Sequence, residues 1–267
     1  MRILVSNDDG IAAPGIRALA AALAEDHEVW VVAPDRERSA TGHALTLHRP
    51  LRAEVHSPWG QVAGAWAVSG TPSDCVKLAL GALLQAPPDL VCSGINRGPN
   101  LGTDVLYSGT VSAALEAVIN DVPAVAYSLA TFSDVGYERA AAFARHLVGH
   151  LAGRSLPPKF LLNVNLPPLQ GEAYAGVRVT RLGVRRYQDT FEHRTDPRGR
   201  TFYWLAGEAQ EAGEAPDSDV VAVRDNHVSI TPIQYDLTNA AALDALRGWG
   251  FGVPQAEGGL QANPARP

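Results

Sequence analysis

Residues 2–34 read RILVSNDDGIAAPGIRALAAALAEDHEVWVVAP. Arg2–Ser6 and Glu28–Ala33 are short apolar runs. Between them Ile16, Leu19, Ala20 and Leu23 recur at helical spacing within Gly15–Glu25. A strand, a helix and a second strand ended by Pro34 make one βαβ unit, the building block of a parallel sheet. Runs such as VWVVA here and FLLNV further along (residues 160–164) are apolar on successive residues, as strands covered on two faces should be.

The same alternation continues downstream. Pro72 starts a helix expected over Ser73–Leu84, Asp89–Ser93 is a third strand, and Ser112–Asn120 a helix. Ala124–Ser128 is a strand, Gly136–Leu151 a helix, and Phe160–Asn165 a strand closed by Pro167 and Pro168. The pattern predicts an α/β fold with a Rossmann-like, doubly wound, mostly parallel sheet over residues 1–170. The stretch between Pro34 and Ser73 reads as irregular.

Beyond that core the texture changes. Residues 178–204 hold seven arginines and a D-P-R-G turn signal, which predicts a projecting β-hairpin arm. Residues 207–219 are acidic and glycine-rich and suit a mobile loop, and Asn239–Trp249 reads as a terminal helix. The expected division is a catalytic core at 1–170, an arm and oligomerisation region at 171–251, and a flexible tail at 252–267. Tyr187, Phe191, Phe202, Tyr203 and Trp204 leave the arm more rings than it can bury alone, so a second subunit is expected to cover them.

Composition sets bounds on function. The 267 residues are 46% hydrophobic and 19% charged, ordinary for a globular protein, with Cys75 and Cys92 the only thiols, so a disulfide scaffold is excluded. No apolar run approaches the roughly 20 residues of a membrane span, and the first residues lack a secretory h-region, so the expected compartment is the cytoplasm. A net charge of −6 argues against a nucleic-acid duplex as partner. Residues 1–150 carry 10 basic and 15 acidic side chains, and an anionic ligand there would need a cation.

In doubly wound sheets ligands bind beyond the carboxyl ends of the strands. The first strand is followed by Asn7-Asp8-Asp9-Gly10, the second by Asp35 to His43, and the third by Gly94 to Asp104 and then Tyr107-Ser108-Gly109-Thr110 opening a helix. Asp8 and Asp9 form a like-charge pair that a cation would relieve. A hard divalent ion such as Mg²⁺ or Mn²⁺ takes carboxylate, hydroxyl and carbonyl oxygens, and Ser39 and Asn96 supply the latter two. Ser108, Gly109 and Thr110 sit at a helix N-terminus, where free N–H groups favour a phosphate, although capping by Ser or Thr accounts for the same residues. His43 is the only histidine in a strand-end loop and is a candidate phosphate partner or proton donor, with a surface or structural role equally open. No G-x-G-x-x-G follows a strand, and no P-loop, nucleophile elbow or Cys/His zinc cluster is present.

Together ILVSNDDG, APDRERSATGH, SGTPSDCV, SGINRGPNLGTDVLYSGTVSAALEA and VSITPIQYDLT resemble the SurE family of survival-protein nucleotidases, from the first strand to about Thr238. The resemblance implies a divalent-metal-dependent phosphatase acting on nucleoside 5′- and 3′-monophosphates, with short polyphosphate a further substrate. It implies a Rossmann-like core whose arm is exchanged between subunits, giving homodimers or homotetramers. It places the metal ligands on Asp8, Asp9, Ser39 and Asn96, one ion per subunit, with Asp8, Asp9 and Asn96 catalytic. Asn7, Gly42, His43, Asn100, Ser108, Gly109 and Thr110 are then expected around substrate, with Asn7 and Asn100 orienting ligands or water. Two other classes compete: a haloacid-dehalogenase-like phosphatase, whose aspartate nucleophile also follows the first strand, and a non-catalytic nucleotide-binding regulator.

Overall fold

The computed structural model describes residues 1–57, 59–168, 173–210 and 214–252. The expected tail at 252–267 therefore lies, past its first residue, outside the described residues. Two compact units divide at Gln234 and Tyr235. In the second, α6 (Ala240–Arg247) is a short helix capped by the Asn239 side chain.

The first unit is built on β1 (Arg2–Ser6), α1 (Pro14–Ala24), β2 (Glu28–Pro34), β3 (Ala53–His56), β4 (Gly64–Val68) and α2 (Pro72–Leu78). β5 (Leu90–Arg97), α3 (Gly109–Ile119), β6 (Ala124–Leu129), α4 (Tyr137–Leu151) and β7 (Leu161–Leu166) follow. β8 (Gly176–Val179), the hairpin β9 (Arg186–Thr195) and β10 (Thr201–Gln210), α5 (Asp219–Arg224) and β11 (His227–Pro232) complete it. Nine strands form one sheet in the order β3-β4-β2-β1-β5-β6-β7-β11-β8. β2, β1, β5, β6 and β7 run parallel, while β3 on β4 and β11 on β7 are antiparallel.

Strand periodicity sends alternate residues to opposite faces. Ile3 and Val5 join Ile16, Leu19, Ala140 and Val148 in the core beneath α1 and α4. Leu4 joins Val76, Val111, Ala114 and Val118 beneath α2 and α3. This is the three-layer arrangement expected from the sequence.

Several expectations shift. The stretch between Pro34 and Ser73 is not irregular throughout, because β3 and β4 extend the sheet past β2. The helix expected to reach Leu84 is α-helical only to Leu78 and continues as a π-helical turn, Ala79–Leu83. The third strand runs four residues beyond Ser93, and the helix expected from Ser112 begins at Gly109. The sheet does not end near residue 170: β8 and β11 belong to it, and only β9 and β10 form a separate two-stranded sheet. The loop expected over 207–219 is strand to Gln210, and α5 begins at Asp219. The hairpin turn is organised by Asp196, whose carboxylate accepts from the N–H groups of Arg198 and Arg200.

Candidate active site

The sheet's order reverses between β1 and β5: the chain leaves β1 toward β2 on one side and resumes at β5 on the other. The crevice at such a switch point is where doubly wound folds bind ligands. Asp8 follows β1 and Asn96 ends β5, so both lie there. β5 carries an irregularity against β6: between the pairs Ser93–Ala126 and Asn96–Ser128, the two residues Gly94 and Ile95 lie opposite the single Tyr127. Such a bulge re-aims the side chains that follow it. Gly94, at φ +127°, sits within it, where a methyl group would collide with the Tyr127 carbonyl.

A cavity of about 720 Å³ opens at this edge, and Asp8, Ser39, Asn96, Asn100 and Ser108 line it together. Three loops distant in sequence are tied to one another here. The Arg38 N–H donates to the Asp8 carbonyl at 2.7 Å, and the Arg97 N–H to Asp9 Oδ2 at 3.1 Å. Asn7 is fully buried, and its Nδ2 donates to the Gly10 carbonyl at 3.0 Å, closing the turn that presents Asp8 and Asp9.

Asp8 is 5% exposed, and its Oδ1 accepts a hydrogen bond from the Thr110 hydroxyl. Burial, reinforced by the neighbouring Asp9 and opposed by Thr110, pushes its carboxyl up to about 7. Asp9 is also raised, by burial first, with the Arg97 N–H and charge opposing. Asp9 borders a neighbouring cavity of about 300 Å³ with Glu37, Arg97, Asp134 and Tyr137. Three of the four expected ligands thus share one cavity and the fourth stands beside it.

These residues fit a hard divalent cation. Two adjacent carboxylates held against their charge would be relieved by one, and Ser39 and Asn96 add neutral oxygens of the kind such ions accept. Asn96 directs its Nδ2 to the Gly98 carbonyl at 2.9 Å, a choice that presents Oδ1 as its acceptor. Ser39 at present donates to Glu37 at 2.6 Å. Among the described residues no group of three or more His, Cys, Asp and Glu is gathered for a metal.

The expected phosphate residues separate into two sets. Ser108 caps α3, accepting from the Val111 N–H at 3.1 Å, and faces the cavity. Gly109 opens the helix against Asp8, and Thr110 gives its hydroxyl to Asp8 instead of to the open cavity. Asn100 is 7% exposed and sits in a buried amide network: its N–H donates to Asn165 Oδ1 at 2.8 Å and its Nδ2 to Ser128 at 2.8 Å. Its carbonyl accepts from Asn163 at 2.8 Å and Asn165 at 3.0 Å. Gly42, at φ +54°, donates its N–H to the Tyr107 carbonyl at 3.1 Å.

His43 turns away from the cavity to Glu116 Oε2 at 2.8 Å. Glu116 is 2% exposed and also accepts from Lys77 and Asn120. Burial is the largest single influence and raises its carboxyl, but the bonds from His43, Lys77 and Asn120 together with the Lys77 charge outweigh it and hold the group at about 2.

Sequence reasoning did not pick out the outer wall: Asp104 and Tyr107 from the loop after β5, and Tyr187, Leu205, Ala206 and Gly207 from the hairpin. Asp104 and Tyr107 lie in the strand-end loop already quoted, but no local motif marks the hairpin residues. Asn163 and Asn165 did carry a signal, two amides inside a strand read as apolar on both faces. Buried polar groups of that sort are there to bond something.

Fold and site define a doubly wound α/β protein with an oxygen-donor site at its switch point. The model of a family described as survival protein SurE matches residues 3–189, and the chain belongs to this family. It is 58% identical over 262 residues to a 5′-nucleotidase SurE of Trichormus variabilis, covering 94% of this chain and 99% of that protein. It is 57% identical over 262 residues, 94% of this chain and 99% of that one, to a 5′-nucleotidase SurE of a Nostoc species. The crystal structure of the SurE protein from Aquifex aeolicus superposes with a TM-score of 0.80 at 39% identity, covering 92% of this chain and 98% of that one.

Proposed function

We propose that this protein is a 5′-nucleotidase: a divalent-metal-dependent phosphomonoesterase that hydrolyses nucleoside 5′- and 3′-monophosphates, with short-chain polyphosphate as a further substrate. The observation that carries the reading is Asp8, a carboxylate buried at the switch point, beside a second carboxylate and against the N-terminus of α3. The names of the Trichormus and Nostoc relatives support nucleotidase chemistry.

Asp8, Asp9, Ser39 and Asn96 hold one Mg²⁺ or Mn²⁺ per subunit. A cation held there supplies charge to the phosphoryl oxygens and acidifies the attacking water. Asp8 keeps its orientation through Thr110. Ser108 and the first-turn N–H groups of α3 receive the phosphate oxygens as negative charge grows on them. Asn100 orients substrate or water from a backbone fixed by Asn163 and Asn165. Asn7 sets the turn beneath Asp8, while Gly42 and His43 shape the loop that carries Ser39. Tyr107 and Tyr187 also line the cavity and offer rings to a nucleoside.

The hairpin exposes Phe191, Phe202, Tyr203, Trp204 and Leu205, and its exchange with a second copy would bury them in a homodimer or homotetramer. Among the described residues no helix is long and apolar enough to cross a membrane. In this reading the enzyme acts in the cytoplasm and takes neither membrane nor duplex as partner.

The test is phosphate release from purified protein with nucleoside 5′- and 3′-monophosphates and tripolyphosphate, with Mn²⁺ and after exhaustive EDTA treatment. Activity should require the ion and should vanish in Asp9→Asn. Turnover that survives chelation overturns the metal assignment, and silence with every metal favours the nucleotide-binding regulator. A phosphoenzyme trapped by rapid quench would replace water by an aspartate as nucleophile, the haloacid-dehalogenase-like alternative.

A further inference from the structure

We propose that Asp219 is a positioning residue whose buried carboxylate ties the loop after β5 to the root of the hairpin, and thereby sets the outer wall of the active-site cavity. The proposal rests on the nucleotidase reading for its catalytic consequence, but its structural content stands apart from it.

Asp219 is fully buried at the start of α5. One carboxylate oxygen accepts from the Gly102 N–H at 2.8 Å, and the other from Gly183 at 2.8 Å and Val220 at 2.9 Å. Three segments distant in sequence meet on this side chain. Helix capping does not explain it, because Ser218 already caps α5 by accepting from the Val221 N–H at 3.3 Å. Burying a carboxylate is costly, and burial pushes this one above its ordinary range while the N–H bonds oppose the shift.

The same two segments are joined again just beyond. The Thr103 hydroxyl donates to the Arg185 carbonyl at 2.6 Å, and Asp104 accepts from Arg185 at 2.6 Å and from the Tyr187 hydroxyl at 2.7 Å. Tyr187 then lines the cavity with Leu205, Ala206 and Gly207 of the paired strand, in the same cavity as Asp8 and Ser108. The proximal part of the loop is secured separately, Asn96 on Gly98 and Asn100 on Asn165. Loosening Asp219 therefore frees the wall while leaving the phosphate end in place.

Asp219→Asn is the sharp test, since it keeps the shape but points an NH₂ group at either Gly102 or Gly183, both donors. Amide hydrogen exchange should quicken at Gly102, at Gly183 and along the start of β9, with β1 and β5 unchanged. With AMP as substrate KM should rise about tenfold at near-constant kcat, while kcat/KM for p-nitrophenyl phosphate, which has no nucleoside to hold, stays within about twofold. Equal losses on both substrates, or exchange identical to the parent at Gly102 and Gly183, would overturn the proposal. If the parent protein hydrolyses neither ester, the nucleotidase reading falls, and the exchange result still decides whether Asp219 holds the wall. Should Asp219→Asn fail to fold, Thr103→Val removes a second tie between the same segments, and the same outcomes apply in weaker form.

Discussion

Replacing Gly109 by alanine isolates what the approach of α3 to Asp8 is worth. Gly109 is the first residue of α3, and its φ is not in the left-handed region, so an alanine meets no backbone objection. Space is the obstacle: a Cβ built there lies 2.7 Å from Asp8 Cβ and 2.9 Å from Asp8 Oδ2, whereas ordinary contact begins at 3.4 Å. Helix or carboxylate must yield by ~0.7 Å, and Asp8 cannot easily do so, because its carbonyl holds Arg38 and its carboxylate Thr110. Overpacking costs about 1–3 kcal/mol, offset by up to about 1 kcal/mol of helix propensity. Net destabilisation should stay at about 3 kcal/mol or less, a Tm loss of at most about 12 °C for a chain of this size. Displacing a catalytic group by about 1 Å costs on the order of 100-fold. Gly109→Ala should thus melt as a folded protein and release phosphate about 100-fold more slowly at saturating Mn²⁺. A variant within about threefold of the parent would refute the claim that the helix start and Asp8 must touch.

Glu116→Gln should destabilise the protein at pH 7, because a carboxylate held at about 2 stabilises the fold at any pH above the unfolded value of 4.5. That contribution, at most about 3 kcal/mol by linkage, is lost as pH falls from 4.5 toward 2. Urea midpoints of parent and variant should therefore converge on acidification, and a gap that widens instead would contradict the assignment. Asn165→Ala leaves the Asn100 N–H without its acceptor and should cost about 1–3 kcal/mol in chemical denaturation. Phosphate release should fall with it, and undiminished stability would show that the amide pair is dispensable. Light scattering at micromolar concentration should give a dimer or tetramer, and a monomer would defeat arm exchange.

How much of this was legible beforehand follows from which forces are local. The βαβ rhythm of residues 2–34 needs only strand and helix periodicity, and the predicted core elements recur in the structure with shifted ends. β3 and β4 escaped because Ala53–His56 is an exposed edge and Gly64–Val68 alternates small residues, so neither shows a clear apolar run. β8 and β11 escaped because their identity depends on pairing across the sheet, β11 with β7 and β8 in turn with β11. His43 was read from its loop alone. That its ring turns to Glu116 depends on a carboxylate 73 positions away.

The sequence by itself determined the layered α/β architecture, the strand ends on which chemistry is presented, and the identities of the oxygen-bearing residues there. These follow from periodicity and residue type, which act over a few positions. Only the tertiary structure decided that Asp8, Ser39, Asn96, Asn100 and Ser108 share one cavity and that Asp9 stands at its border. It also decided that Thr110 serves Asp8, and that a hairpin anchored by Asp104 and Asp219 supplies the far wall. Those outcomes depend on hydrogen bonds between segments that meet only once the sheet has assembled, and no local pattern records them.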